Sequence, residues 1–271
     1  LAKIIQGETP VTLFEVALAG GINGKQTYYD ISLVDGYNLP MGITYIPGAS
    51  PELQKIPPNL TNCACIATEG FLTDGPTNGT FPMPWVEGIT NADLGSWCPW
   101  PLQTNPPTKP GDGIYPYPDD GIKRPIFDPC LSNCAKTNAP EDCCTGSYND
   151  PKVCKGGVFS VASKKVCPDA YSFAYDDTTS TFIIPTGGGW KVTFCPAGKS
   201  TNILKTFGPQ LFELANSGKV SSQVLQDTQN ITLVMKADGG TSVMGYGTDG
   251  ERRKLGSLGA LVVMLAWLCL W

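Results

Sequence analysis

Ten of the eleven cysteines in this chain fall between Cys63 and Cys195, and they limit what it can become more than any other feature. They are Cys63, Cys65, Cys98, Cys130, Cys134, Cys143, Cys144, Cys154, Cys167 and Cys195, with Cys269 near the far end. Their spacings fit no zinc pattern, so a disulfide framework in an oxidising compartment is expected, with no metal and no cofactor. Cross-links would then stand in for part of a hydrophobic core. That suits 271 residues holding 31 Gly and 24 Pro, a composition of many turns and few long helices that points to an all-β or loop-rich fold.

The sequence contains no histidine, which removes Ser-His-Asp and Cys-His catalysis and His-ligated zinc. Carboxylates remain as the proton-transfer groups near neutral pH. The net charge is −5 and no run of Lys or Arg is long enough to follow a phosphate backbone, so no nucleic-acid partner is expected.

Val11 to Gly20 (VTLFEVALAG) and Thr27 to Val34 (TYYDISLV) are rich in β-branched and aromatic residues and are separated by GINGK, a hairpin signal. A second strand pair is expected from STFIIP (Ser180 to Pro185), GGG and WKVTFC (Trp190 to Cys195). Between the two pairs the chain is dense in Pro, Gly, Asn and Cys. Ser160 to Ala174 allows a short helix or two, interrupted by Pro168, and GPQLFELANSGK allows another with Leu211, Phe212 and Leu214 inward. The expected organisation is a partial β-sandwich core from 1–56 and 180–198, a disulfide-rich lobe at 57–179, a polar stalk with a short helix at 199–250, and an anchor signal at 251–271.

Three N-x-T sequons, at Asn59, Asn78 and Asn230, agree with the secretory route that the cysteines imply. LAKIIQGETP lacks the apolar core of a signal peptide, so an upstream portion is expected. From Leu258 the chain ends in LGALVVMLAWLCLW, whose 14 residues as a helix would span about 21 Å against a hydrocarbon core of about 30 Å. ERRK precedes it and the small residues of GYGTDG lie upstream, the order of a glycosylphosphatidylinositol (GPI) anchor signal. Gly247 is the expected attachment residue, with Gly245 and Gly239 as rivals; a tail anchor or a buried C-terminal strand is the alternative. The expected membrane association is through that lipid.

TPVTLFEVAL, TYYDISLVDGYNLPM, DPCLSNCAKTNAPEDCCTGSYNDPKVCKGGVFSVASKKVCPDAYSFAYDDTTSTF and WKVTFCP, in that order, resemble the thaumatin-like family from about Gly7 to Pro196. The resemblance implies an all-β fold: a β-sandwich core with a disulfide-rich, loop-dominated second lobe and an acidic cleft between them. It further implies binding of β-1,3-glucan, with at most weak endo-β-1,3-glucanase activity. The YPYPDDGIKRP segment and the anchor-like end look more like wall-associated members from filamentous fungi. The alternative is a structural or defence-type surface protein without catalytic activity; a monomer is expected in either case.

By resemblance, Cys98 pairs with Cys130, Cys134 with Cys143 and Cys144 with Cys154, leaving Cys167 for Cys63 or Cys65. The family's further N-terminal portion would carry the partner of Cys195 and a cleft arginine. Ile184 stands where the family commonly has another cysteine, so one of Cys63 or Cys65 is also a candidate partner for Cys195.

Asp30 and Asp35 would face opposite sides of an unbroken strand, but the Val-Asp-Gly turn can rotate the second back toward the first. The resemblance assigns both to the cleft and adds Glu15 and Asp176. Crowded carboxylates raise at least one pKa, which lets one acid stay protonated beside an ionised neighbour, as glycoside hydrolysis requires. Glu15 is the expected acid and Asp35 the expected base or nucleophile, with Asp30 and Asp176 binding or positioning the sugar. Tyr28 and Tyr37 are the expected stacking surfaces for its C–H face. The competing reading makes Asp30 and Asp35 turn residues bonded to backbone.

Overall fold

The computed structural model of the chain describes residues 8–67, 97–104, 129–196, 199–222 and 225–226. Asn78, Asn230, Gly247 and the apolar C-terminal segment lie outside the described residues. Among the described residues no helix is long and apolar enough to cross a membrane.

The expected hairpin forms from β1 (Leu13–Gly20) and β2 (Gln26–Ser32), antiparallel, with Glu15 opposite Asp30 and Ala17 opposite Tyr28. Its turn holds Gly21, Asn23 and Gly24 at positive φ, which these residue types tolerate and β-branched ones do not. Strand pairing starts at Leu13 because the two preceding residues are used otherwise. Val11 N–H donates to the Asp35 carbonyl at 3.2 Å, while Thr12 and Asn38 exchange side-chain bonds to each other's backbone N–H at 2.8 and 3.1 Å. These bonds fasten the turn after β2 to the entry of β1.

β3 (Met41–Ile46) pairs antiparallel with the short β4 (Ala64–Cys65). β5 (Phe182–Pro185) and β6 (Gly189–Phe194) both form, but not as a pair. β5 joins β2 and β6 joins β3, giving two three-stranded antiparallel sheets ordered β1-β2-β5 and β4-β3-β6. The expected second hairpin is thus replaced by a crossing between sheets. Thr186 N–H donates back to Lys25 at 2.8 Å, Gly187 and Gly188 take φ of 127° and 84°, and Tyr45 Oη donates to the Gly187 carbonyl at 3.0 Å. A Cβ on Gly188 would stand 2.5 Å from the Ile46 carbonyl oxygen, so the corner requires glycine.

The sheets close on an aromatic core. Tyr29 of β2 stacks on Phe182 of β5 at 5.2 Å between ring centroids and meets Trp190 of β6 at 5.7 Å, and Trp190 in turn meets Tyr45 of β3 at 5.8 Å. Ring pairs in this range add to the free energy of burial itself.

Four disulfides form among the described residues: Cys65–Cys167, Cys98–Cys130, Cys134–Cys143 and Cys144–Cys154. The choice left open for Cys167 falls to Cys65. Neither Cys63 nor Cys65, the two candidates within the described residues, bridges to Cys195, and Cys63 is buried as a thiol. In the lobe, α1 (Pro51–Gln54) is followed by α2 (Asn133–Thr137), capped by Ser132 through a 2.9 Å bond from Ala135 N–H, then by α3 (Pro140–Cys143) and α4 (Val158–Val166). α4 ends before Pro168, and Cys167 ties that end to β4. α5 (Asp177–Ser180) leads into β5.

The segment from 199 to 217, expected at the start of a polar stalk, is part of the body. α6 (Ile203–Thr206) and α7 (Gly208–Ser217) bury Ile203, Leu211 and Leu214, together with Phe207 between them. Asp169 accepts from the Ile203 and Leu204 N–H groups at 2.8 and 2.9 Å, and Thr201 and Ser200 bond to Ala64 and Ile66. Phe212 points outward at 74% exposure rather than inward. Residues 207, 211 and 214 follow the helical period and place the core stripe; Phe212 is one step off it.

The sequon at Asn59 is folded inside. Asn59 is 9% exposed, Leu60 and Thr61 are buried, and the Thr61 carbonyl accepts from Tyr29 Oη at 2.7 Å. A glycan on Asn59 is incompatible with this packing, which corrects that expected modification.

Candidate functional site

Because successive side chains of a strand alternate, residues 26, 28, 30 and 32 of β2 share one face and Tyr29 and Ile31 take the core side. Directly opposite residues of an antiparallel pair point the same way, so Glu15 of β1 joins Asp30 on that face. Glu15 is exposed at the surface, whereas Asp30 is only 8% exposed. Ser32, two residues beyond Asp30, donates its hydroxyl to Glu15.

Asp35 reaches the same neighbourhood through the bonds that pin its turn to Val11 and Thr12, and its charge acts on Glu15. A fourth acid arrives from the other side of the sheet. Tyr171 forms a bridge with Ser32, and its hydroxyl donates to Asp177 Oδ1 at 2.8 Å and is 2.6 Å from Thr181 Oγ1. The Asp177 charge acts on Asp30.

The acid that the AYDD block brings to Asp30 is therefore Asp177 and not the expected Asp176. Asp176 turns into the lobe. Its Oδ2 accepts from Ser172 N–H and Oγ at 3.1 and 2.6 Å and pairs with Lys164 Nζ at 3.0 Å, while Oδ1 accepts from Thr179 Oγ1. Burial pulls the Lys164 ammonium down and Asp176 works against that shift, so the pair belongs to the lobe's internal scaffold.

Tyr37, expected to stack on sugar, is a core residue at 1% exposure. Its backbone exchanges hydrogen bonds with Cys130 at 2.8 Å, its oxygen accepts from Ala67 N–H at 3.2 Å, and its ring meets Trp97 edge-on at 5.6 Å. Tyr28 is half-buried on the acidic face, about 7 Å along the strand from Asp30, with its hydroxyl donating to Gln26 at 2.8 Å. The side-chain amide of Gln26 donates in turn to the Ala215 carbonyl of α7 at 2.8 Å.

The electrostatics follow from this layout. Burial, then the Glu15 charge, then a hydrogen bond with Glu15 push the Asp30 carboxyl up to about 8. Glu15 moves up as well, first by desolvation, but Ser32 and the proton on Asp30 hold it back. The deeper carboxyl of the pair therefore keeps the shared proton and the outer one carries the charge. Glu15 was the expected protonated member of the pair; burial favours Asp30 in that place. Asp35 is raised by desolvation. One oxygen of Asp30, Oδ1, is buried without a hydrogen-bond partner. Among the described residues, no three acidic or sulfur side chains stand close enough to hold a metal ion.

Asp30 and Glu15 were expected from the family resemblance, and their position opposite one another is a finding of the strand register. The contributions of Ser32 and Tyr171 were missed; the alternation Tyr28, Asp30, Ser32 carried the first, and no local signal carried the second.

Two packed antiparallel sheets, a lobe stapled by disulfides and an acidic outer strand face define a disulfide-stapled β-sandwich scaffold. Residues 3–196 match the model of the Thaumatin family, and the chain belongs to that family. It is 33% identical over 187 residues to "Thaumatin-like protein 1" of Pyrus pyrifolia, a match covering 69% of this chain and 56% of the relative. It is 32% identical to "Glucan endo-1,3-beta-glucosidase" of Prunus avium over the same shares of each, and 31% identical to "Pathogenesis-related thaumatin-like protein 3.5" of Cryptomeria japonica, covering 70% and 56%. The chain thus spans a little over half the length of these curated relatives.

Proposed function

We propose that the chain is a β-1,3-glucan-binding protein of the cell wall, secreted, glycosylated at Asn78 and Asn230 and held by a GPI anchor at Gly247, of the wall-associated fungal type. The observation that carries the binding reading is the Glu15–Asp30 pair: two carboxyls in register on an outward sheet face, flanked by Asp35, Asp177 and the ring of Tyr28. Carboxyls and hydroxyls accept and donate to sugar hydroxyls, and a tyrosine ring covers a C–H face. The relative named as a glucan endo-1,3-beta-glucosidase agrees in substrate class. The anchor and wall location rest on the sequence pattern alone.

Binding is favoured over hydrolysis. The proton on this face is held by Asp30, the least accessible of the acids, and is bonded to Glu15 instead of being presented outward. At most slow cleavage follows from such an arrangement.

The test is retention on insoluble β-1,3-glucan. Glu15→Gln together with Asp35→Asn is expected to weaken the affinity for the glucan by about tenfold, corresponding to roughly 1.4 kcal/mol. Retention equal to the unaltered chain would remove this face from the reading. Reducing-sugar release from a soluble β-1,3-glucan then measures any cleavage.

A further inference from the structure

The acidic face carries more negative charge than a neutral sugar needs. Glu15, Asp35 and Asp177 approach Asp30 from β1, from the turn after β2 and from α5; Tyr171 faces it from beside α5, and the Cys63 thiol lies behind it. The donors that reach these acids are neutral hydroxyls, Ser32 on Glu15 and Tyr171 on Asp177. The ion pairs described in the molecule lie elsewhere, at Lys55–Glu52 and Lys164–Asp176. A second and separate observation is the buried Oδ1 of Asp30, a carboxyl oxygen with no donor of its own in a residue more than nine-tenths buried. A group removed from water in this way lacks compensation until a donor arrives.

Among the described residues these acids do not form a group of three or more that could hold a metal ion. What fits is a ligand whose positive charges are spaced apart and each carry several N–H donors, which describes primary ammonium groups. Tyr28 on the same face adds the flat surface that a pyranose ring requires.

We propose that this face binds a polysaccharide bearing free amino groups, of the deacetylated amino-sugar class, and that an ammonium group seated at Glu15–Asp30 displaces the proton the pair shares. The proposal rests on the saccharide-binding reading above and narrows its ligand. The proton balance is simple: Asp30 passes from carboxylic acid to carboxylate, the proton goes to the buffer, and the ammonium takes over its bond to the pair. Loss of one proton from the pair matches the gain of one positive charge from the ligand.

Isothermal titration calorimetry of the whole chain tests this, with three soluble oligosaccharides: β-1,4-linked glucosamine, its fully N-acetylated counterpart, and a neutral β-1,3-glucan fragment. The work is done at about pH 6, where amines are charged and Asp30 is protonated, in two buffers of different ionisation enthalpy. The expected result is about tenfold tighter binding of the free amine than of the acetylated form, weakened by salt, with proton release seen as a buffer-dependent heat. Asp30→Asn, close in shape, is expected to abolish the proton release, and Glu15→Gln to reduce affinity for the amine by about tenfold. Equal affinity for free and acetylated forms overturns the proposal, as does amine binding without proton release. If the neutral glucan binds and the amine gains nothing, the ammonium proposal fails while the glucan reading stands. If no saccharide binds, both fail. The comparison among ligands on the unaltered chain needs no variant to fold.

Discussion

Asp30 is an acid whose burial leaves a measurable imprint on the molecule's stability. An unfolded aspartate loses its proton at about pH 4, whereas in the folded chain Asp30 holds it up to about 8. Between those values the unfolded state binds fewer protons than the folded one, so stability falls as pH rises through the window and levels off above it. Asp30→Asn is expected to flatten that slope, adding on the order of 2 kcal/mol at about pH 8 and nothing at about pH 3, as read from urea denaturation at each pH. The hairpin was visible in the sequence as two β-rich runs around GINGK, but Glu15 followed only from the family resemblance, and the register irregularity between Ala17 and Gly20 kept its place opposite Asp30 from being counted off the turn. The choice between Asp176 and Asp177 was not visible. It depends on how residues 171–177 wind around Lys164 and Tyr171, and neither contact has a sequence period. Tyr37 misled for a related reason: two residues past Asp35 it resembles an exposed turn tyrosine, yet its backbone is bridged to Cys130, which lies 93 positions away.

At the level of elements, the glycines between β5 and β6 decide the architecture. A Gly-rich link between two strand-like runs reads as a hairpin, and only the positions of the β2 and β3 edges show that it is a sheet-to-sheet corner. Gly188→Ala forces a Cβ against the Ile46 carbonyl at a positive φ and is expected to cost about 2 kcal/mol or more, detectable as a lower melting temperature. α7 offers a paired comparison. Leu214 is fully buried and Phe212 exposed on the same helix, so Leu214→Ala is expected to lower stability by about 2–5 kcal/mol and Phe212→Ser by no more than about 0.5 kcal/mol. If α7 were an ornament, both would be silent in chemical denaturation. The sequence reading placed Leu211 and Leu214 inward. It erred on Phe212 because three apolar residues within four positions do not by themselves fix the phase of a stripe; the buried Phe207 and Ile203 do.

Across the whole molecule, the cross-links differ in how much chain they confine. Cys65–Cys167 closes a separation of 102 residues and joins β4 to the end of α4, while Cys134–Cys143 closes one of 9 within the lobe. On chain entropy alone, removing the first as a Cys65→Ala, Cys167→Ala pair is expected to cost about 4–5 kcal/mol, against about 2–3 kcal/mol for the second, measured by denaturant titration. Cys63 stands two residues from Cys65 on the same strand-side of the chain, and burial pushes its thiol up, away from the reactive thiolate form. Before the sheets close, these two sulfurs are nearly equivalent rivals for Cys167. Afterwards one is bridged and the other is entombed as a protonated thiol, so the packed interior itself shields the finished bond from exchange with its neighbour.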